Sequence, residues 1–405
     1  MQTADLFLLT ILMIFALPYF LWRFGGIRDF VPLVVVEIIA GIILGPGVLG
    51  SVFPNYYNFL FRVPVVNALN GVASWAVIMF VWGAGVELDL RQSWRHRGET
   101  IIAALFALGT PLFFGSIAAL LLLIFGHGWI GSNASPWQFL LGIGMACAVT
   151  ALPILAVFLE ELQVLNSLLG QRILRYASLD DLAIWGVLAL ILMDWKRVKM
   201  QLAFIAGFAV ASIIMKQLIP RLSIQDRWYI SLIWLAACSF AADASGFHFM
   251  VGAYLSGTVL DASWFEEERL NSFRKMILLA VMPVFFLSTG LKTRWQIHGS
   301  SLLGATLLLL LVSVAGKLVG TGIAGRILGW TRGQSHLIAW LLQTKALIMI
   351  IFSDVLLSGK IITDQTFTAL LLMAAASTML TMPVITRSRL KRCIESPSHT
   401  INIAP

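Results

Sequence analysis

The chain has 405 residues with a mean hydropathy of +0.89, of which 59% are hydrophobic and 12% are charged. Soluble domains carry roughly 25% charged residues, so this composition excludes a water-soluble protein. The formal net charge of +8 is attributed to basic loops between apolar runs rather than to nucleic-acid binding.

Repeated apolar runs predict an all-α polytopic membrane protein, because a helix needs about 20 apolar residues to cross a bilayer. The first run lacks the features of a cleaved signal peptide, so we expect it to be retained. The three cysteines show no CxxC spacing, so neither a disulfide framework nor a structural metal site is expected. About 13 transmembrane helices are predicted, near 4–22, 30–49, 67–87, 100–126, 137–159, 168–193, 200–219, 228–243, 246–261, 275–291, 301–324, 335–357 and 364–386.

The loop charges predict the orientation of these spans. Nineteen of the 28 Lys and Arg residues fall in one set of loops, seven fall in the other, and Lys317 and Lys345 lie inside spans. Because cytoplasmic loops carry the excess of basic residues, we place the N-terminus outside and the C-terminus in the cytoplasm. We expect a multi-pass protein of a bacterial inner (plasma) membrane, in which 1–386 form the transmembrane domain and 387–405 form a short cytoplasmic tail. No soluble regulatory domain is expected to follow.

Two predicted spans are interrupted. The span at 137–159 contains "ACAVTALPILAVFLEEL", where Pro153 removes a helical hydrogen bond and Thr150 offers another partner. The span at 335–357 contains "LLQTKALIMIIFSDVLL", where 343–345 are polar. Interrupted helices at corresponding places of two halves are typical of inverted-repeat transporters and indicate the binding site.

Charged side chains at membrane depth are candidate functional residues, since each costs about 2.5–3.5 kcal/mol to insert. The strongest are Asp180 and Asp181 in "YASLDDLAIW". Adjacent helical residues point about 100° apart, so one carboxylate can be held by a partner while the other exchanges ligands. Two close carboxylates also repel, so one of them can take up a proton or a desolvated cation. The structural alternative is a helix cap or an interhelical salt bridge.

Two lysines complete the set of candidates. Lys317 lies among small residues in "LLVSVAGKLVGTG", where backbones can approach closely, and we expect it to pair with Asp180 or Asp181. The alternative is that it snorkels to the membrane interface. Lys345 is predicted to neutralise the dipoles of helix C-termini that meet at the break.

The remaining polar residues have weaker assignments. Glu37 either faces an interior cavity or makes an interhelical hydrogen bond, and Asp243 is expected at the membrane interface. Asp354 is a further candidate near a helix end. His248 and His336 are interpreted as ordinary residues at helix boundaries.

Six motifs, in chain order and over nearly the whole chain, resemble the cation:proton antiporter-2 family of sodium/proton and potassium/proton exchangers. They are "GIILGPGVLG", "TALPILAVFLEELQVLNSLLGQRIL", "SLDDLAIW", "HFMVGAYLSG", "MPVFFLSTGLKT" and "QTKALIMII". The resemblance implies a homodimer in which a core with two crossed broken helices moves like an elevator against a dimerisation scaffold. The implied ranges are 98–193 and 301–386 for the core, 4–87 and 228–291 for the scaffold, and 200–219 for a linker.

The resemblance also implies roles for single residues. Asp181 matches the carboxylate that binds the transported cation or the proton. Asp180 matches the preceding aspartate of the electrogenic sodium/proton branch, so the transported monovalent cation would bind at this pair. Lys317 matches the lysine partner of that branch, and Thr150 would help to line the site.

The chain departs from the family in two ways. Residues 343–346 read Gln-Thr-Lys-Ala where the family has Asn-Thr-Arg-Gly or Asn-Thr-Lys-Gly. The regulatory domain of gated potassium-efflux members is not expected here, which argues against nucleotide or glutathione gating.

We therefore expect an electrogenic antiporter, not an enzyme, that exchanges a monovalent cation for protons without a bound cofactor. Sodium is expected ahead of potassium, although a carboxylate–hydroxyl–carbonyl site accepts sodium, potassium and lithium. One alternative is a sodium-coupled organic-solute symporter of related architecture. The other is an intramembrane aspartyl protease, whose aspartates would stand on two helices in Tyr-Asp and Gly-x-Gly-Asp settings that do not occur here.

Overall fold

Helices make up almost the whole chain in a computed structural model, which describes residues 2–26, 33–86, 88, 97–165, 167–193, 197–292 and 299–387. Within these ranges no β-strand forms, and the only β-type pairing is an isolated antiparallel bridge between Ile130 and Ile362. The predicted all-α fold is confirmed. The predicted tail lies outside the described residues from residue 388 onward.

The helices follow one another with short connections. The first nine are α1 Thr3–Phe24, α2 Leu33–Leu44, α3 Leu49–Val52, α4 Pro54–Leu60, α5 Val63–Val86, α6 Arg97–Phe125, α7 Pro136–Ala148, α8 Leu152–Glu161 and α9 Leu168–Ile191. The next nine are α10 Val198–Leu218, α11 Ile224–Ser245, α12 Phe249–Thr258, α13 Glu267–Met276, α14 Met282–Leu291, α15 Gly299–Leu328, α16 Arg332–Leu341, α17 Ala346–Ser358 and α18 Asp364–Arg387. A π-helical turn, Ile277–Val281, joins α13 to α14.

Each predicted span overlaps a helix or a helix pair, but fewer helices are both long and apolar. Within the described ranges, nine segments could cross a membrane by these criteria. The number is ten if α16 and α17, which are bent by 50° at their break, count as one span. The other three predicted spans are α7 with α8, the charged α9, and α12 with ten residues. The count of 13 therefore stays a prediction.

The same order of elements occurs twice, and both broken helices begin with the same kind of cap. Ser135 before α7 and Thr331 before α16 each form a capping box with a glutamine three residues later. The helices that follow the two broken ones are also capped by hydroxyls, α9 by Ser167 and α18 by Thr363. A long helix, a broken helix and a capped helix thus form α6–α9 and again α15–α18.

The helices pack into two groups. α6–α9 and α15–α18, here named the core helices, contact mainly one another. α1, α2, α5, α11, α12 and α14, here named the scaffold helices, form the second group, and α10 packs on α11. The two groups resemble the core and scaffold ranges expected from the sequence, and their division into separate units remains a proposal.

Small residues bring α15 directly against α6. A Cβ atom at Gly316 would stand 2.5 Å from Pro111 Cα, and a Cβ atom at Gly320 would collide with the Phe106 carbonyl oxygen. Between these glycines, Lys317 is only 1% exposed. The predicted close approach of backbones around Lys317 is confirmed, and the alternative that Lys317 snorkels to the interface is wrong.

The first broken helix is interrupted before its proline. α7 ends at Ala148 and α8 begins at Leu152, so Pro153 stands in the first turn of α8. A proline is tolerated there because the first N–H groups of a helix have no intrahelical acceptor. The predicted interruption of this span is confirmed: it lies around Thr150, and Pro153 follows in the first turn of α8.

Candidate functional site

The two helix breaks meet in the interior of the core helices. The Ala151 N–H donates to the Thr344 carbonyl oxygen at 2.5 Å, which joins the two breaks. The Thr150 hydroxyl lies 2.8 Å from the Leu342 carbonyl oxygen. Both threonines are fully buried. Two interrupted helices that cross in this way are what the sequence predicts for an inverted-repeat transporter.

Asp180, Thr150 and Lys317 form a buried polar cluster beside this crossing. Lys317 Nζ donates to Asp180 Oδ2 at 2.9 Å and to the Thr150 hydroxyl at 3.0 Å. The Thr150 hydroxyl is 2.6 Å from Asp180 Oδ2 and can donate its one proton there or to Leu342. Asp180 and Lys317 are each 1% exposed, so water is excluded from the ion pair. Burial strengthens the attraction between the two charges, and it also raises the free-energy cost of desolvating them.

Asp181 is buried beside Asp180 but faces other elements. It is 3% exposed and belongs to α9 like its neighbour. Trp185, four residues after Asp181 on the same face of α9, stacks on Tyr254 of α12, a scaffold helix. Adjacent aspartates thus have separate surroundings, as their separation of about 100° around the helix requires. This geometry allows one carboxylate to stay paired with Lys317 while the other binds a cation or a proton.

The side chain of Lys345 reaches from the second break to the C-terminal end of α7. Its Nζ donates to the carbonyl oxygens of Cys147 at 2.7 Å and of Val149 at 3.0 Å. These carbonyls belong to the C-terminal end of a half-helix, which has no intrahelical donors for them and carries a partial negative charge. This contact agrees with the predicted neutralisation of the helix dipole by Lys345. The role itself remains a prediction.

Ser313 is a site residue that the sequence reasoning missed. It stands four residues before Lys317 in α15, so both face the crossing. The Ser313 hydroxyl donates to the Cys147 carbonyl oxygen at 2.9 Å and accepts from Gln343 Nε2 at 3.0 Å. α15 therefore contacts both breaks. The four-residue spacing of Ser313 and Lys317 was the sequence signal that could have identified Ser313 as a site residue. Gln343, where the family has Asn, supplies the long amide that reaches Ser313.

Two residues of α18 support the second break and were also missed. Thr378 Oγ1 accepts the N–H groups of Lys345 at 3.3 Å and of Ala346 at 3.2 Å. Ser377 Oγ donates to the Gln343 carbonyl oxygen at 2.8 Å. Adjacent hydroxyls inside an apolar span were the sequence signal for these contacts.

The other candidates lie away from the crossing. Glu37 is buried in α2, and its Oε2 has no hydrogen-bond partner among the described residues. Asp354 of α17 forms an ion pair of 2.6 Å with Lys292, which follows α14. Asp243 is exposed on α11. His248 caps the N-terminus of α12, and His336 is exposed in the second turn of α16, so both are boundary residues as predicted.

Across the described part of the chain, no group of three or more His, Cys, Asp or Glu side chains could hold a metal ion. The oxygen atoms buried near the crossing include the carboxylates of Asp180 and Asp181, the Thr150 hydroxyl and backbone carbonyls.

Comparisons with known proteins place this geometry in context. A family model described as sodium/hydrogen exchanger, transmembrane, matches residues 9–388. Cation/H(+) antiporter 18 of Arabidopsis thaliana is 27% identical over 372 residues, which cover 87% of this chain and 45% of that protein. The chain thus spans less than half the length of this relative.

Two further proteins match nearly end to end. Na(+)/H(+) antiporter NhaS4 of Synechocystis is 25% identical over 375 residues, which cover 88% of this chain and 90% of that protein. The solved structure of the sodium proton antiporter MjNhaP1 from Methanocaldococcus jannaschii superposes with a TM-score of 0.60 and 12% identity. That match covers 95% of this chain and 97% of the other, and it shows a common fold.

Proposed function

The chain belongs to the sodium/hydrogen exchanger family, and from that premise we propose that it exchanges a monovalent cation for protons across a membrane. The family consists of transporters that need no cofactor, so the protein is not an enzyme. The alternative of an intramembrane aspartyl protease is wrong, since Asp180 and Asp181 also share one helix.

The observation that carries this proposal is the surroundings of the two aspartates at the crossing of the broken helices. Lys317 and Thr150 hold Asp180, and Asp181 is the next residue of α9, about 100° further around the helix. A charge at membrane depth is expensive and usually belongs to an ion pathway. We propose that Asp181 binds the cation and the proton in turn, because both require the same carboxylate. Competition for one group couples the two fluxes.

A symporter for an organic anion has less support. It would need a cation or an unsatisfied helix N-terminus to bind the anion. The ammonium groups of Lys317 and Lys345 already donate to protein oxygens. The N–H groups that begin α17 donate to Thr378, and the Ala151 N–H before α8 donates to Thr344. These donors are engaged, so the site favours a positively charged substrate.

The test replaces the proposed exchange group. In proteoliposomes with a pH-sensitive dye inside, sodium, potassium or lithium should each be tested for a cation-induced pH change. The wild type should respond to at least one cation. Asp181→Asn keeps the size but removes the exchangeable charge, so exchange should fall at least 100-fold, to background. Asp243→Asn is the matched control, because Asp243 is exposed on α11, and it should exchange like the wild type.

Two results would contradict the proposal. The first is a wild type that moves no protons with any of the three cations. The second is appreciable exchange by a correctly folded Asp181→Asn variant, with folding judged from its thermal unfolding and its elution as a single species in detergent.

Finer features of the transport cycle are also proposed. We propose that the protein binds sodium in preference to potassium. The Synechocystis relative is named as a Na(+)/H(+) antiporter, and that name states the cation for that protein only. We propose an elevator-like displacement of the core helices against the scaffold helices. The separate packing of the two groups supports it, because a packed group can move as one body.

The assembly and its orientation are proposals as well. We propose a homodimer formed through the scaffold helices, with the N-terminus outside and the C-terminus in the cytoplasm. Native mass spectrometry from lipid nanodiscs tests the dimer, and a fully active monomer would contradict it. Labelling of a cysteine introduced at residue 2 from either side of the membrane tests the orientation.

A further inference from the structure

Tyr254 has a buried hydroxyl group that the contacts of the protein leave unexplained. The side chain is among the largest in the interior and is 1% exposed. Its hydroxyl has no hydrogen-bond partner among the described residues. Leaving such a group unsatisfied costs about 1–3 kcal/mol, and nearly all buried polar groups have a partner. The missing partner is therefore a ligand candidate.

The ring of Tyr254 stands over the helix that carries Asp181. It stacks on Trp185 of α9, with ring centroids 5.4 Å apart and an interplanar angle of 24°. Trp185 follows Asp181 by four residues, so the two side chains share one face of α9. The Tyr254 ring therefore packs on the face of α9 that carries Asp181.

The scaffold helices hold Tyr254 in place. α12 lies directly on α5, because Gly85 and Gly257 face each other without side chains. A Cβ atom at Gly85 would stand 2.5 Å from the Tyr254 carbonyl oxygen, and a Cβ atom at Gly257 would collide with the Trp82 carbonyl oxygen. The backbone of Tyr254 is therefore fixed to α5, while Asp181 is fixed within the core helices.

We propose that the Tyr254 hydroxyl is a further ligand of the cation that binds at Asp181, and that it helps to determine which monovalent cation is accepted. The inference rests on the proposed antiport activity. A phenol oxygen has lone pairs for a cation and a proton to donate to a carboxylate. It can therefore face Asp181 both with the cation bound and after the cation has left.

This ligand differs from the others because it comes from the scaffold helices. Asp180, Asp181 and Lys317 belong to core helices, and Thr150 lies in the break between two of them. A cation bound between Asp181 and Tyr254 contacts both groups of helices at once. The size of the space between α9 and α12 then limits the ionic radius that fits, which makes Tyr254 a specificity-determining residue.

The experiment compares Tyr254→Phe with two controls in the same proteoliposome assay. Phenylalanine keeps the ring and its stacking on Trp185 and removes only the oxygen. The apparent KM for the preferred cation should rise about tenfold, as expected for one lost bond to a charged group. The ratio of the KM values for sodium, lithium and potassium should change, while the maximal rate stays within about twofold. A second readout is the shift in thermal unfolding on adding the cation in detergent, which should shrink.

The controls separate a ligand from a structural hydroxyl. Tyr176→Phe also removes a buried phenol oxygen, but that oxygen donates to Glu99 at 2.6 Å, so this variant should lose stability and keep the wild-type KM values. Tyr229→Phe, at an exposed position, should change neither. Tyr254→Phe should show the opposite pattern to Tyr176→Phe, with unchanged stability and weaker cation binding.

The outcomes distinguish the two proposals. If the wild type exchanges no cation, the proposed function fails. If the wild type exchanges cations and Tyr254→Phe has unchanged KM values, selectivity and thermal shift, only the role of Tyr254 fails. A Tyr254→Phe variant that unfolds would also overturn the inference, because a hydroxyl without a protein partner contributes nothing to folding.

Discussion

Asp180 and Asp181 are neighbours in sequence with different surroundings. Asp180 is held by Lys317 and Thr150, whereas Asp181 shares a face of α9 with Trp185, on which Tyr254 stacks. A cation bound at Asp181 would attract Asp180 and weaken its bond to Lys317. A buried ammonium that loses its carboxylate partner releases its proton more readily. We therefore propose that two protons, one from Asp181 and one from Lys317, exchange for one cation, so that each cycle moves one net charge.

This stoichiometry predicts a response to the membrane potential. In proteoliposomes with a clamped potential, wild-type exchange should speed up or slow down with the sign of the voltage. Lys317→Gln keeps hydrogen-bond donors for Asp180 but cannot carry a proton, so any remaining exchange should be one for one and independent of voltage. Exchange by the wild type that ignores voltage would refute the two-proton scheme. A voltage response in Lys317→Gln with unchanged stoichiometry would show that another group carries the second proton.

At the scale of elements, α15 supports the site through its tight packing on α6. Ser313 and Lys317 reach the breaks only because α15 lies close to the core helices, and Gly316 and Gly320 permit that distance. The breaks themselves are short non-helical segments, and Lys345 and Thr378 bond to backbone groups that have no partner within their own half-helix. Each half-helix is therefore positioned by contacts from other elements rather than by its own sequence.

Two glycines of α15 provide a matched test of this packing. Gly320→Ala places a methyl group against the Phe106 carbonyl oxygen, which belongs to backbone and cannot rotate away, so we expect a loss of about 1–3 kcal/mol in unfolding free energy. Gly322→Ala, two residues later, meets open space and should be neutral or gain up to about 1 kcal/mol of helix propensity. Thermal unfolding in detergent measures both. Equal stability of the two variants would contradict the close α6–α15 contact.

At the scale of the whole molecule, an ion pair joins the two groups of helices. Lys292 follows the scaffold helix α14, Asp354 belongs to the core helix α17, and their charged atoms are 2.6 Å apart. The two residues line a cavity of about 110 Å³ together with Asn70, His248 and Ser288. An elevator-like movement of the core helices would have to separate this pair and reshape the cavity.

Cross-linking tests that movement. Cysteines at positions 292 and 354, joined by a short bifunctional thiol reagent, should reduce exchange at least tenfold, and cleavage of the cross-link should restore it. The background needs alanine at the native cysteines, Cys147, Cys238 and Cys393, with exchange retained. The control is a cross-link between positions 70 and 288, whose native side chains are 2.5 Å apart within the scaffold helices. Full exchange with the 292–354 cross-link intact would rule out the displacement.

Much of the architecture follows from the sequence because it depends on local properties. The length of apolar runs predicts helices, polar residues within such runs predict the two breaks, and the cost of buried charge singles out Asp180, Asp181 and Lys317. The repeat was foreseeable from the order of spans, and the capping glutamines after Ser135 and Thr331 give a second signal for it. Pro153 follows the first break rather than lying at it, because a proline is as suitable for starting a helix as for ending one.

The tertiary structure decided which of these residues meet. Two adjacent aspartates on one helix are equivalent in sequence. Only the placement of α15 and α12 around α9 pairs Lys317 with Asp180 and stacks Tyr254 on the face of α9 that carries Asp181. The bonds of Gln343 to Ser313 and of Lys292 to Asp354 join residues 30 and 62 positions apart. Local sequence determines which segments become helices and which carry charge. Contacts between distant segments depend on how the helices pack, because packing alone sets the distance and direction between their side chains.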